Sequence, residues 1–318
     1  MSGSDALSFL QGQFTNELRG VAPGGAVYGL WLTLKGKVLA DSFVVRGAGE
    51  RAPATSDAGS KAGEDIYWVG SYHSPAAVIR ERLEAFVIAD DVVIDDATAE
   101  WEGFTVWSGE AQRRGAQQAG VGFVFPSRRS APTVQNPNAR ATAGANTAWE
   151  WVFPTAQRER AYVLLSDLDL PPLGVTEVEQ RRIAAAAPAV PADLGPADLP
   201  NEAGLEATAI SFTKGCYLGQ EVMARLKSMG QVRRRLLRVH GTGPAPTALP
   251  AALFAGDRKL GELRSLAPDP AGGPGDGNHG DFIGLAMLSL LNLPPDAALA
   301  LAPGAAPSIR VIDLPAAP

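Results

Sequence analysis

SFTKGCYLGQEVMARLKSM, residues 211–229, holds the chain's single cysteine, Cys216, between two glycine-containing turns of sequence. Leu218, Val222, Leu226 and Met229 recur at helical steps and share one face. The spacing predicts a helix from near Tyr217, fed by a turn at Lys214-Gly215-Cys216. A helix start presents unpaired N–H groups and partial positive charge, which favour a thiolate or a bound anion. Lys214 adds a cation beside the thiol. Gly215 and Gly219 let a ligand or a second backbone come close. Glu221 and Arg225 have the i,i+4 spacing, acid first, that pairs along a helix. A lone cysteine is most often a small buried hydrophobe. Lysine, two glycines, glutamine and glutamate around it pack a core poorly, which favours a binding segment.

Upstream, Ser4 to Leu18 carries Leu7, Leu10, Phe14 and Leu18 at helical spacing. Val27–Trp31 and Val38–Val45 read as strands around a turn at Lys35-Gly36-Lys37. Arg46 to Glu64 reads as a loop. A second unit follows, with a strand at Ile66–Val69 and a helix at Pro75–Val87. Further strands are expected at Val92–Ile94, Phe104–Trp107, Val121–Phe125, Trp149–Phe153 and Tyr162–Leu165, with a long loop over Pro126–Ala148. This alternation suits a ferredoxin-like α+β domain. Asp90-Asp91 and Asp95-Asp96 flank Val92-Val93-Ile94 and read as a solvated strand end, so no metal site is assigned. Glu177–Ala187 is a helix ended by Pro188, and an irregular crossing runs to Pro200.

Downstream, Arg233-Arg234-Arg235 is a basic cluster suited to an anionic partner, or a solvated entry to the last domain. Leu236–Val239, Ala252–Phe254, Leu260–Arg264, Phe282–Leu288 and Ile309–Ile312 are short strands between glycine- and proline-rich turns, including Gly272–Gly280, and predict a small β-barrel. His73, His240 and His279 are too scattered for a metal site. A net charge of −6 over 318 residues argues against whole-surface attraction to DNA, RNA or anionic membrane. One cysteine excludes an intrachain disulfide, and no apolar run is long enough to cross a bilayer. The expectation is a cytoplasmic protein.

Lys214-Gly215-Cys216-Tyr217-Leu218-Gly219-Gln220-Glu221 resembles the signature of the YgfZ-type folate-binding proteins, relatives of the glycine-cleavage T-protein (aminomethyltransferase). Asp5-Ala6, Phe9 to Asn16, Lys35 to Asp41, Leu199 to Glu202 and Ile210 to Phe212 are similar to that family in the same order. The likeness runs from the N-terminus to about Leu237. It implies an α+β, three-domain arrangement. A discontinuous folate-binding domain spans 1–50 and 170–232, a ferredoxin-like domain 51–169, and a C-terminal β-barrel 233–318. It implies tetrahydrofolate as cofactor, iron–sulfur cluster assembly or repair and tRNA modification as function, and iron–sulfur enzymes or assembly proteins as partners. Any tRNA contact is expected to be indirect. Cys216 is the candidate catalytic thiol. Folate contacts are expected from Lys214, Gly215, Tyr217, Gln220, Glu221 and Arg225, and from Glu202, Gln13, Thr15 and Asn16.

Two positions depart from the wider T-protein pattern. Where those proteins carry a pterin-contacting glutamate, this chain reads Arg182-Ile183-Ala184. Ala184 has no carboxylate for the pterin's guanidine-like edge, and Glu202 is the nearest replacement by sequence. Of an adjacent acidic pair only Asp41 remains, beside Ala40. It is a lesser candidate for acid–base work than for a solvated strand edge. Whether a reaction is catalysed stays open. The alternatives are a folate-dependent aminomethyltransferase or demethylase, and a non-catalytic scaffold or binding protein.

Overall fold

The computed structural model describes residues 1–47, 65–129, 147–271, 280–293 and 298–313. The loops expected over 46–64, 126–148 and 272–280 lie largely outside them. The first layer is an antiparallel sheet of β1 (Ala26–Leu32), β2 (Val38–Arg46) and β3 (Tyr67–Gly70), in that order. Side chains alternate faces along a strand. Trp31 and Val44 therefore pack on one side against Phe9 and Leu10 of helix α1 (Ala6–Gln13) and Ile79 and Leu83 of α2 (Ala76–Glu84). Tyr28, Leu30, Phe43 and Val45 face the opposite side.

The strand at 67–70 pairs with β2, Val44 opposite Val69 and Val45 opposite Trp68. It therefore completes the first sheet, although its place in the chain suggested the second unit. The three apolar residues expected as a strand at Val92–Ile94 form only one bridge, from Val93 to Ser2. Asp5 and Asp91 tie these two segments together: Ser4 donates to Asp91 and the Asp91 N–H donates to Asp5.

The second sheet contains β4 (Trp101–Ser108), β5 (Phe123–Pro126) and β6 (Thr147–Pro154) in the order β4-β6-β5. Helix α3 (Glu110–Gln118) connects β4 to β5, with β6 paired between them, which is the split βαβ of ferredoxin-like folds. The strand expected at Tyr162–Leu165 is instead part of helix α4 (Arg158–Ser166). A continuous apolar run does not separate the two periods. The helix buries Ala161 and packs Leu164 and Leu165 on the sheet, leaving Tyr162 and Val163 exposed.

Helix α5 (Val175–Ala184), the irregular crossing and helix α6 (Gln220–Met229) lead to the last unit. Its strands are β7 (Arg234–Gly241), β8 (Ala251–Ala255), β9 (Arg258–Pro268), β10 (Phe282–Ser289), β11 (Ala298–Leu299) and β12 (Ile309–Val311). They form one six-stranded sheet in the order β11-β12-β7-β10-β9-β8. Paired hydrogen bonds between Phe254 and Ala300 join its two ends, so the barrel nearly closes. Apolar residues from all three sheets meet in one central core: Tyr28 and Phe43, Phe125, and Leu285 and Met287. Tyr217 and Met223 of the 211–229 segment enter the same core.

Ion pairs fasten the barrel to the rest. Arg264 on β9 and Arg234 on β7 both reach Asp198 in the crossing, and Arg234 also pairs with Glu202. Burial opposes the charged form of Asp198, yet Arg264 and the Gly195 N–H hold its carboxyl below the ordinary range. Between the two values the unfolded chain binds the extra proton, so stability falls as pH drops through that window. The contribution of Asp198 to the unfolding free energy is therefore expected to be level above about pH 5 and to fall below about pH 4. Urea titrations across that range test this, and an Arg264→Met chain should show a shallower acid slope. An equal slope in both chains would remove Asp198 from the account.

Candidate functional site

Lys214 is buried, and its ammonium donates to the carbonyl oxygens of Gln11 (2.9 Å), Phe14 (2.6 Å) and Asn16 (2.9 Å). The last carbonyls of a helix have no partner within it. Lys214 and the Leu218 N–H, which donates to Gly12 O at 3.1 Å, satisfy the end of α1 from 200 residues away along the chain. Burial pushes the lysine down to about 8. All three of its donors are used in this cap, so its ammonium points into the protein and not to solvent.

Helix α6 begins at Gln220, three residues later than the spacing predicted. Gly219 precedes it with φ +84, a left-handed conformation that favours glycine, and a Cβ there would meet Thr33 O at 2.8 Å. The Lys35-Gly36-Lys37 turn packs under the same helix, and a Cβ on Gly36 would meet Val222 and Met223 at 2.9 Å. Gly219 thus serves a close approach of two backbones, and Gly36 makes room for the side chains of α6. Cys216 sits on the loop ahead of α6, free and exposed. Gly215 is exposed beside it. Tyr217 turns inward; its hydroxyl is buried without a partner, and burial pushes it up to about 12. Glu221 and Arg225 are both exposed, and no ion pair joins them.

Three of the other expected folate contacts, Thr15, Asn16 and Glu202, are engaged elsewhere. Thr15 donates to Ala209 O and accepts the Leu30 N–H. Asn16 donates to Tyr28 O and Thr208 O. Gln13 keeps a buried side-chain oxygen without a partner. Glu202 accepts the Leu199 N–H and both Nε and Nη2 of Arg234. Ala184 ends α5, and its carbonyl accepts Arg238 Nη1 at 2.8 Å. Arg234 being committed in this way, the run Arg233-Arg234-Arg235 does not present one basic face.

Asp41 is buried, not a solvated strand edge. Tyr28 donates to it at 2.9 Å, Ser71 at 2.7 Å and Ser74 at 3.0 Å, with Arg128 at 4.0 Å. Arg128 also lies over the Tyr28 ring, 3.9 Å from its centre. A parallel unit stands on the second sheet. Tyr72 donates to the buried Glu150 at 2.6 Å, Thr105 donates to it at 2.9 Å, and Arg129 covers the Tyr72 ring at 4.1 Å. Burial pushes the Glu150 carboxyl up, against the hydrogen bonds from Ser127 and Tyr72.

This second unit borders a cavity of about 1050 Å³ between β3 and the second sheet. Trp68, Trp101, Phe123 and Phe125 supply its aromatic wall, and Tyr72, Thr105, Arg129 and Glu150 its polar end. None of the expected folate-binding residues lines it. No local pattern marks it, because its residues come from widely separated segments with no spacing that links them.

The family model of the GCVT N-terminal domain matches residues 1–214, more than half of the chain. The chain belongs to this family. Among curated relatives of this GCVT-family chain, the human iron–sulfur cluster assembly factor IBA57, mitochondrial, is 37% identical over 118 residues, covering 35% of this chain and 30% of the relative. The Neurospora crassa IBA57 homolog, mitochondrial, is 26% identical over 74% of this chain and 50% of its own. The tRNA-modifying protein YgfZ of Vibrio vulnificus is 41% identical over 81 residues, covering 25% of this chain and 24% of the relative. The matched part thus spans half or less of these relatives. The aminomethyltransferase T of the glycine cleavage system from Bartonella henselae shares the fold, with a TM-score of 0.67 at 16% identity over 99% of this chain and 82% of its own. Its match confirms the T-protein-like arrangement with a C-terminal barrel. The IBA57 relatives are named as mitochondrial, which overturns the cytoplasmic expectation. Among the described residues, no helix is long and apolar enough to cross a membrane.

Proposed function

We propose that this GCVT-family chain supports iron–sulfur cluster assembly and that Cys216 is the thiol that meets its protein partner. The observation that carries this reading is the exposure of the single cysteine on a loop pinned behind by Lys214 and ahead by the Gly219 cap. A thiolate is the nucleophile and the metal ligand of cysteine chemistry, and it acts only where partners reach it. The role in the names of the IBA57 relatives supports the same assignment. Partners are iron–sulfur enzymes or their assembly proteins. A part in tRNA modification, as the YgfZ relative is named for, would act through such enzymes.

Tetrahydrofolate is the small molecule this reading assigns, but the expected pterin contact does not fit it. Ala184 offers no carboxylate, and Arg234 occupies Glu202. A transferase role is disfavoured by Asp41, which is sealed by Tyr28, Ser71 and Ser74.

Two measurements test the thiol. Native protein is expected to react with one equivalent of a thiol reagent, and Cys216→Ser with none. In cells deleted for the gene, Cys216→Ser is expected to leave iron–sulfur enzyme activity unrestored. Full restoration by the serine chain would sink the assignment.

A further inference from the structure

We propose that the outer edge of β4 docks an extended segment of a partner protein, which joins the second sheet as a fourth strand and carries basic side chains between apolar ones. The inference goes beyond the thiol reading, because no residue of the 211–229 segment borders the site. The first observation is an empty place in the sheet. β4, α3 and β5 form a crossover with β6 paired between the two strands. α3 and α4 pack on the same face of the sheet, and β6 runs antiparallel to β4. A right-handed crossover from β6 through α4 therefore returns beyond β4, so that β4 stands between its two strands. Among the described residues no strand takes that place: residues 167–174 lead from α4 to α5 without pairing, and β4 ends the sheet.

The second observation is the cavity that lies there. Residues 67–70 of β3 and 101–105 of β4 all border it. Side chains alternate faces along a strand, so an unbroken run of bordering residues means that the strand edges themselves face the space. β3 and β4 are each the end strand of their sheet, and an end strand leaves every second N–H and C=O unpaired. The β3 edge already takes an extended partner at one point, where Met1 and Tyr67 exchange two hydrogen bonds of 2.9 and 3.0 Å. Among the described residues no such bond reaches 101–105 from outside the second sheet. Main-chain pairing to an open edge gives affinity, and the surfaces met by the side chains give selectivity. Trp68, Phe123 and Val152 offer an apolar wall, and Asp95, Asp96 and Glu100 border the same space. These three acids are exposed and in no ion pair among the described residues. The arginines on the border are engaged: Arg80 pairs with Glu84, and Arg129 donates to Thr105. Apolar side chains alternating with lysine or arginine meet both surfaces. The volume, about 1050 Å³, takes a segment of about five residues, one for each bordering residue of β4.

The probe is a phage-displayed library of random heptapeptides panned on the full chain. The leading sequence is then synthesised and titrated, reading tryptophan fluorescence. Enriched sequences are expected to alternate apolar residues with lysine or arginine. Methylating the peptide's amide nitrogens one at a time should raise the dissociation constant about tenfold at every second position, where an N–H faces β4, and little between. Asp95→Asn/Asp96→Asn/Glu100→Gln should raise it about fivefold at low salt, with circular dichroism confirming the fold. Hydrogen exchange should slow at residues 101–105 when the peptide is bound, and Cys216→Ser should leave binding unchanged. Failure to enrich any heptapeptide overturns the site, as does an N-methyl scan without a period of two, or protection that falls elsewhere. A period of two with binding indifferent to the carboxylate variant overturns the basic character of the partner. Self-association of the chain that protects 101–105 without peptide would make a second copy the occupant and overturn the partner. Each of these failures leaves the thiol reading standing, whereas loss of binding in Cys216→Ser would move the peptide to the thiol loop and overturn the β4 site.

Discussion

Replacing Lys214 by methionine is expected to lower the unfolding free energy by about 3–5 kcal/mol. The ammonium donates to three backbone carbonyls at the end of α1, and methionine keeps the stem while removing every donor. A buried acceptor left unpaired costs about 1–3 kcal/mol. Relief from burying the charge, visible in the lowered lysine value, offsets part of the sum. Urea unfolding of the two chains measures the difference. A loss below about 1 kcal/mol, the scale of an ordinary surface change, would show that Lys214 does not hold α1 in place. The same variant bears on function, because the Cys216 loop is tethered to α1 through this residue and the Leu218 N–H.

Arg182→Met is expected to cost a similar amount, about 3–5 kcal/mol, for a different reason. The Arg182 guanidinium is buried where α5, the crossing and the barrel meet. Its Nη1 donates to Asp193 at 2.6 Å, its Nη2 to Glu179 at 2.7 Å and to Ser265 on β9 at 2.9 Å. Removing it leaves Asp193, fully buried, as an uncompensated charge. A pair replaced on both sides by apolar groups is often near neutral. The double variant Arg182→Met/Asp193→Leu should therefore be more stable than Arg182→Met alone. A double variant no more stable than the single would mean that the loss comes from packing and not from the stranded carboxylate.

Much of the architecture was legible from local pattern. The alternating apolar strands at 27–31 and 38–45, the periodic helix near 218–229 and the turn-punctuated barrel each carry their own period, and each forms. Errors fell where local pattern is ambiguous or where pairing is distant. Tyr162–Leu165 is apolar at every position, and only the sheet beneath it selects the helix that buries Ala161. The strand at 67–70 has no local mark that it joins β2. The acid at position 41 looked solvated because Ser71, Ser74 and Arg128 come from other segments to enclose it.

The 211–229 segment shows the same division. Its sequence alone determined a lone cysteine in a glycine-flanked turn before a helix, because turn chemistry and helical spacing are properties of neighbouring residues. Only the tertiary structure decided that Lys214 faces inward to cap α1 while Cys216 faces solvent. The physical reason is that an ammonium goes where unpaired carbonyls lie, and those carbonyls lie at and just beyond the end of a helix about 200 residues away. The cavity follows the same rule: Trp68, Trp101 and Arg129 come to border one cavity only once the two sheets pack together.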